Sequence, residues 1–564
     1  MAKKKDEEKK ALSRREFLKD TGMVVGGAAL TMGALSLAGC APEAETTTVT
    51  KATTVTTIKT ETATPWLPSK WDYEADVVVV GAGGAGSCAA IAAHDAGADV
   101  IILEKMPEGQ DGGATRVYGG VLGWKGVADF GLIGDIEAIR ANSFYEIDER
   151  YAAAFSDALE DLSHWLLEEV RLETVGSIDN LLIVAMHDDY TGGHFVIQAL
   201  KGEVNKRGIE VLYETPGKEL IQDAVTKEIL GVRAESKGSQ INIKAKKGVV
   251  LANGGYSSNT QMLKILNLPG IYTATMNSPA NSGDGQRMGQ KVGARLWDIA
   301  MGAESSLCAL KLPSQIYDTA VQYNGEISPG FIFVDKTGNR FMNEYDLTTW
   351  SHYKGHLAVF DFKGDFIMPP TQNEYLHIPF FAIFDDKHRR SGSLAGNLGG
   401  AWGRMGWFAS QRLYDWSADN SAEIAKGWIV EADTIQELAT KIKGTDHKGA
   451  QISVDAEGLQ ETVDKFNEYC AAGVDSSFGR AAMSPIDTPP YYGAELCIQT
   501  QYTTGGLKHD AQCRTLDLDD KPIPRLYSAG DVGHIGIIKP DGVCGAMAFG
   551  RVAGKQVAAL EPWG

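Results

Sequence analysis

At 564 residues the chain is long enough for more than one hydrophobic core, and its 43% apolar and 23% charged residues are those of a globular protein. A formal charge of −19, with no basic stripe interleaved with aromatics, argues against a nucleic-acid ligand. Its seven cysteines include no C-x-x-C, no C-x-x-C-H and no zinc-ligand spacing, so neither an attached c-type haem, an iron–sulfur cluster nor a structural metal is expected.

Residues 13–20 read SRREFLKD, with Arg14 and Arg15 side by side ahead of a small, apolar run over 22–39. An ordinary export signal needs no arginine pair; this one points to the twin-arginine route, which carries proteins already folded. The run closes on LAGC at 37–40, which resembles a lipoprotein cleavage site. The reading is a cleaved signal over 1–39, with Cys40 a lipidated N-terminus that anchors the protein outside the cytoplasm without spanning the membrane. The alternative is a transmembrane anchor over 22–39, which is short for a span and diluted by glycine. Residues 40–70 are threonine-rich without apolar periodicity and read as an extended tether.

The stretch ADVVVVGAGGAGSCAAIAAHDAGADVIILEK, residues 75–105, predicts a buried parallel strand, a helix and a second strand. Gly81, Gly83 and Gly86 fall at the first strand-to-helix turn, and Glu104 ends the second strand. That is a dinucleotide fingerprint in full context: glycines for the turn, helix amides for a pyrophosphate, an acid for a ribose hydroxyl. NAD and FAD both accept it. The deciding feature is IPRLYSAGDVG at 523–533, a further strand ending in Asp531, which can accept a hydrogen bond from a ribityl chain.

Between these ends lie GGATRVYGG (112–120), VVLANGGYSSN (249–259), NSGDGQRMGQKVGA (281–294), GNRFMNE (338–344), TTGGLKHD (503–510) and LYSAGDVG followed by GAMAFGRVAG (526–554). In this order they resemble the flavoprotein family of soluble fumarate reductases, urocanate reductases and 3-ketosteroid dehydrogenases, over residues 75–560. The resemblance implies an α/β fold: a glutathione-reductase-type, Rossmann-like FAD-binding domain over 71–302 and 499–564, with an inserted α+β capping domain over 303–498. It further implies FAD contacts at Gly81, Gly83, Gly86, Glu104, Lys105, Gly113, Thr115, Gly254, Asp284, Asp531, Ala546 and Met547. Ala114 stands where the family has Asn or Ser, removing one polar contact. No histidine lies near that loop for covalent attachment, so FAD is expected to be non-covalent and loaded before export.

The same resemblance directs the search for catalytic groups. The family's proton-donating arginine, four residues past the NE of RFxNE, is replaced by Thr348, and the nearest titratable side chains are His352 and Tyr353. A helix face packing Trp350 and Tyr353 into the cap is the alternative for this segment. The carboxylate-binding histidine of HTMGG is replaced by Tyr502 in YTTGG, and a phenol suits a ketone or ester oxygen better than a carboxylate. The second carboxylate arginine is missing from GHIGIIKPDGVCGAM, whose nearest cation is Lys539. Dicarboxylates call for bidentate arginines, so fumarate is not the expected substrate. The aromatic stretch AWGRMGWFASQRLYDW at 401–416 favours an uncharged or mono-charged enone or enoate. Tyr118 either faces this pocket or packs in the core.

GNLGGAWG at 396–403 lacks a strand–helix context and reads as a loop, so no NAD(P)H module is evident. An extracytoplasmic electron-transfer protein, such as a multihaem cytochrome, is the expected electron donor for a reductase. A ketosteroid-dehydrogenase-like flavin dehydrogenase of saturated ketones and a non-catalytic flavin relay stand as alternatives.

Overall fold

The computed structural model describes residues 67–122, 136–142, 145, 147–178, 181–184, 190–266, 273–297, 303–312, 321–345, 362–363, 374–395, 413–446, 449–503, 505–533 and 542–563. The first strand is β1 (Tyr73–Val80), and each side chain of its Val77–Val80 run is at most 3% exposed. Both faces are covered. Val77 and Val79 pack with α1 (Gly84–Asp95), while Val78 and Val80 pack with the antiparallel strands at 217–222 and 229–236. An unbroken β-branched run is the sequence mark of such double burial.

In chain order there follow β2 (Val100–Leu103), α2 (Gly113–Val117), α3 (Glu149–His164), α4 (Gly192–Lys206), β3 (Glu210–Leu212) and β4 (Ser239–Leu251). Then come β5 (Thr273–Thr275), α5 (Asp284–Lys291), β6 (Ala303–Leu310), β7 (Phe331–Asp335), β8 (Phe380–Asp385), β9 (Tyr491–Thr503), β10 (Pro522–Ser528) and α6 (Gly542–Ala558). The first sheet runs 514–516, β10, β4, β1, β2, β3, parallel along this path except at its 514–516 edge; off the path, 229–236 pairs antiparallel with β4, and 217–222 antiparallel with 229–236. One face carries α1 and α6 side by side. Gly550 and Gly554 of α6 sit against the carbonyl oxygens of Ala85 and Ala89, which a Cβ at either glycine would overlap. Small residues four apart on one helix let the two backbones approach this closely.

The second sheet is centred on β9, in the order 321–322, β6, β9, β8, β7, with β5 and the 430–432 strand also paired to β9. Phe331, Phe333, Phe380 and Phe384 fill one of its faces, and Ile332, Val334, Phe381 and Ile383 the other. Strand β9 runs straight through 498/499, where the sequence placed a domain boundary. The parallel pairing Thr273↔Ile498 to Thr275↔Thr500 stitches β5, from the chain before 303, to it. Of the aromatic stretch at 401–416, the described part is packing: Trp416 is 9% exposed and its indole N–H donates to Asn420 Oδ1 at 2.8 Å.

The expected signal, Cys40 and most of the tether lie outside the described residues, as do Thr348, His352, Tyr353, Lys539 and the 396–403 loop. Among the described residues no helix is long and apolar enough to cross a membrane.

Candidate functional site

β1 lies between β2 on one side and β4 and β10 on the other, so the strand order reverses at its C-terminal end. That is where a doubly wound sheet holds its ligand. A cleft opens there, walled by the residues that leave each of these strands. Gly81 to Gly84 follow β1, Glu104 and Lys105 follow β2, Asn253 and Gly254 follow β4, and Gly530 and Asp531 follow β10.

The turn after β1 is fixed by close approach. Gly81 has φ of +109°, and a Cβ on it would lie 2.5 Å from the carbonyl oxygen of Ala252, the residue after β4. Glu104 is buried and held by backbone amides: Ala82 N donates to Oε2 at 2.9 Å and Met106 N to Oε1 at 2.8 Å. Burial raises its pKa, and the two amide donors partly offset that. Each oxygen retains a lone pair for a further donor, as a ribose hydroxyl would be. Thr115 Oγ1 accepts from Gly84 N at 3.2 Å and so ties α2 to the start of α1.

On the opposite wall, Lys105 Nζ donates to Ser282 Oγ at 2.7 Å and to Asp284 Oδ2 at 2.9 Å. Burial works against the charge of Asp284, but Lys105, Arg287 and Ser282 outweigh it and hold its pKa below the usual range. Asp531 has no such help. The residue is half-buried, but its Oδ2 is enclosed without a hydrogen-bond partner, and desolvation pushes the carboxyl up to about 7. Gln286 Nε2 bridges the carbonyls of Asp531 and Gly254 and fixes the two strand ends to each other.

Ten of the twelve cofactor residues expected from the sequence line this cleft; Gly86 and Met547 do not. Gly86 is a packing residue on α1, turned toward the Gly81 carbonyl, which a Cβ would overlap. Met547 is fully buried behind the lining and meets Gly84. Sequence reasoning missed Asn253 and Asn281, both in the lining. Asn253 Oδ1 and Asn281 Nδ2 are buried without a partner, as is Asp531 Oδ2. Buried polar atoms left unpaired call for a ligand or a structural reason. Two acceptors and a donor converging on one cleft fit a cofactor rich in hydroxyl, phosphoryl and heteroaromatic groups, and FAD is such a cofactor. Both asparagines lie in stretches quoted for the resemblance, VVLANGGYSSN and NSGDGQRMGQKVGA, but neither was singled out; Asn253 adjoins Gly254, which takes φ of +76°.

Thr503, the last residue of β9, abuts this wall: its Oγ1 accepts from Tyr256 N at 3.0 Å, and a Cβ on Gly255 would lie 3.3 Å from Asp531 Cβ. Tyr502 is the residue before it and is half-buried. Tyr118 packs against the core of the first sheet. The GNRFMNE motif precedes the segment expected to deliver the proton, and its own residues are structural. Glu344 is fully buried, accepting from Arg340 Nε at 2.6 Å, Arg340 Nη2 at 2.8 Å and Arg480 Nη1 at 3.1 Å, while Asp475 takes Arg340 Nη2 at 2.9 Å. This network anchors the chain as it leaves β7 for residues 346–361.

Comparison with known proteins agrees with the cleft. Digoxin reductase of Eggerthella lenta is 28% identical over 98% of this chain and 98% of its own length. Urocanate reductase of the same organism is 28% identical over 89% of this chain and 77% of its own. Among solved structures, the open conformation of a flavocytochrome c3 fumarate reductase matches 86% of this chain and 78% of that one, at 25% identity and a TM-score of 0.61. The 3-ketosteroid Δ1-dehydrogenase of Sterolibacterium denitrificans shares the fold, with a TM-score of 0.65 at 21% identity over 86% of this chain and 99% of that one. The FAD binding domain family matches residues 76–542. With the fingerprint turn, the acid after β2 and the carboxyl after β10 set around one cleft, the chain belongs to the FAD binding domain family and is an FAD-dependent oxidoreductase.

Proposed function

We propose that the protein reduces an activated C=C bond of an uncharged or mono-charged enone or enoate, outside the cytoplasm, with electrons from an extracytoplasmic carrier. Bound FAD, held without a covalent link, supplies the hydride for the β-carbon, and a proton completes the α-carbon. The observation that carries the reading is the position of Tyr502, half-buried at the end of β9 and one residue from the Thr503 that abuts the cleft wall. A phenol there donates to the substrate carbonyl oxygen, where negative charge develops as hydride arrives. Its matched relatives include reductases named for digoxin and urocanate, which supports a substrate broader than a dicarboxylate. His352 or Tyr353 as proton donor, Lys539 as a second polarising group, and Cys40 as lipid anchor belong to the same proposal.

The test is anaerobic stopped-flow of the reduced full-length protein against fumarate, urocanate, digoxin, aryl enoates and enones, following flavin reoxidation. Rapid reoxidation by enones or enoates, with fumarate inert, is the expected result. If instead saturated ketones bleach the oxidised flavin and no enone reoxidises it, the protein is a dehydrogenase. Tyr502→Phe should slow turnover on the order of tens- to hundreds-fold, the loss of one donor to a developing oxyanion. Unchanged turnover would remove Tyr502 from the chemistry.

Asp531 gives the proposal a pH signature. Its native pKa near 7 lies above the unfolded value of about 3.9, so the FAD-free protein loses stability as pH rises through that window and levels off above it. A cofactor hydroxyl donating to the carboxylate favours the ionised form, so FAD should bind more tightly as pH climbs through 7. Titration of FAD binding by flavin fluorescence at several pH values should show this rise in the wild type and a flat profile in Asp531→Asn. A flat wild-type profile would be incompatible with Asp531 as the acceptor.

A further inference from the structure

Three side chains of the cleft lining carry buried polar atoms without partners, and only one of these atoms is a donor. Asp531 Oδ2 and Asn253 Oδ1 accept; Asn281 Nδ2 donates. The cation in the same lining, Lys105, already spends its ammonium on Ser282 and Asp284. At the start of α2, Gly113 and Ala114 line the cleft with no polar side-chain atom. A cofactor with phosphoryl oxygens and ring carbonyls brings mainly acceptors to this wall, and an acceptor desolvated without a donor is costly.

Asn281 is placed to meet that need. It is 3% exposed and sits between Gly254 and Gly113: its Oδ1 lies 2.6 Å from where a Cβ on Gly254 would stand and 4.0 Å from the same point on Gly113. The open side at Gly254, with its φ of +76°, is what lets the amide lie there. The Asn281 backbone is held independently, its N–H donating to Ser278 O at 3.0 Å and its carbonyl accepting from Ser258 N at 2.9 Å. The loop therefore keeps its shape without the side chain, and the unpaired Nδ2 is left for a ligand.

We propose that Asn281 donates a hydrogen bond from its side-chain amide to an acceptor of the bound FAD, adding a side-chain donor beside the Gly113–Ala114 wall, where the donors are backbone amides alone. The inference rests on this cleft being the cofactor's seat, and the experiment separates the two. Full-length holoprotein is serially diluted and FAD release is read from the rise in free-flavin fluorescence, for wild type, Asn281→Ala, Asn281→Asp and Asp531→Ala. Asn281→Ala should raise the dissociation constant about tenfold, the factor of one lost hydrogen bond. Asn281→Asp keeps shape and Oδ1 but turns the donor into an acceptor, so it should bind FAD more weakly than Asn281→Ala. It also remains informative should the alanine variant fail to fold. FAD affinity within twofold of wild type in either Asn281 variant, with Asp531→Ala weakened, would overturn the donor role and leave the seat standing. All three variants binding like wild type would overturn both.

Discussion

Gly86→Ala should yield a protein that purifies without its flavin. Two effects oppose each other at this position. Alanine inside a helix is favoured over glycine by about 1 kcal/mol, and Gly86 lies in the first turns of α1. Against that, the new Cβ would overlap the carbonyl oxygen of Gly81 and press on Ala252 at 3.4 Å. Overpacking of this kind costs about 1–3 kcal/mol when side chains can yield, and here the obstacle is backbone. Gly81 cannot yield, because its own space is closed by the residues after β4: a Cβ there would already stand 2.5 Å from Ala252 O and 2.8 Å from Asn253 Cα. The clash is therefore relieved by moving α1 off the sheet, which pulls Gly83 and Gly84 away from the cleft they line. The ratio of flavin to protein absorbance after purification measures this directly. Gly202→Ala is the matched control, since Gly202 lies within α4 with nothing near its Cβ position, and it should leave flavin content unchanged. Full flavin content in Gly86→Ala would mean that the helix can be lifted without disturbing the seat.

The same residues show what the sequence made legible and what it hid. The β1–α1–β2 unit was readable because its signals are local. An apolar run, three glycines and a terminal acid all fall within 75–105, and each has a backbone reason to be there. Asp531 was readable because a strand end with an acid is also local, although its neighbours β4 and α5 come from far upstream. Pairings that join distant segments were not readable. β9 carries both the aromatic face of the second sheet and the Thr503 end that abuts the cleft wall, so the boundary the resemblance implied at 498/499 falls inside it. Gly86 was assigned to the cofactor because the fingerprint is read as a unit, whereas its third glycine answers to helix–strand packing. Asn281 escaped notice because its contact with Gly254 depends on a left-handed backbone 27 residues earlier, which spacing does not reveal.

Glu344 illustrates the same limit and carries the second large effect: Glu344→Ala should lower global stability by about 3–5 kcal/mol, the range for removing one partner of a buried ion pair. Four charges meet here. Arg340, Arg480, Glu344 and Asp475 have relative exposures of at most 5% at their side chains, and the two carboxylates balance the two guanidiniums. Burial works against the charge of Arg340, but the carboxylates of Glu344 and Asp475 outweigh it and raise its pKa above the ordinary arginine value. Arg480 is bound further by the Pro329 and Ala482 carbonyls and stacks over Phe331 and Tyr345 at 4.4 and 4.7 Å, so it cannot swing out to water once its carboxylate is gone. The variant leaves two buried cations facing one anion. Glu344→Gln keeps the shape and part of the hydrogen bonding, yet leaves the same charge excess, and should fall between wild type and alanine. The loss is carried by the second sheet, whose β7 donates the Phe333 N–H to Glu344 Oε1 at 3.3 Å, while the first sheet has its own core and keeps its cleft. Chemical denaturation should therefore show a lowered midpoint with flavin still bound below the transition. A Glu344→Ala protein with an unchanged midpoint would show that the four charges are dispensable, and one that releases FAD before unfolding would place the network under the cofactor instead of under the second sheet.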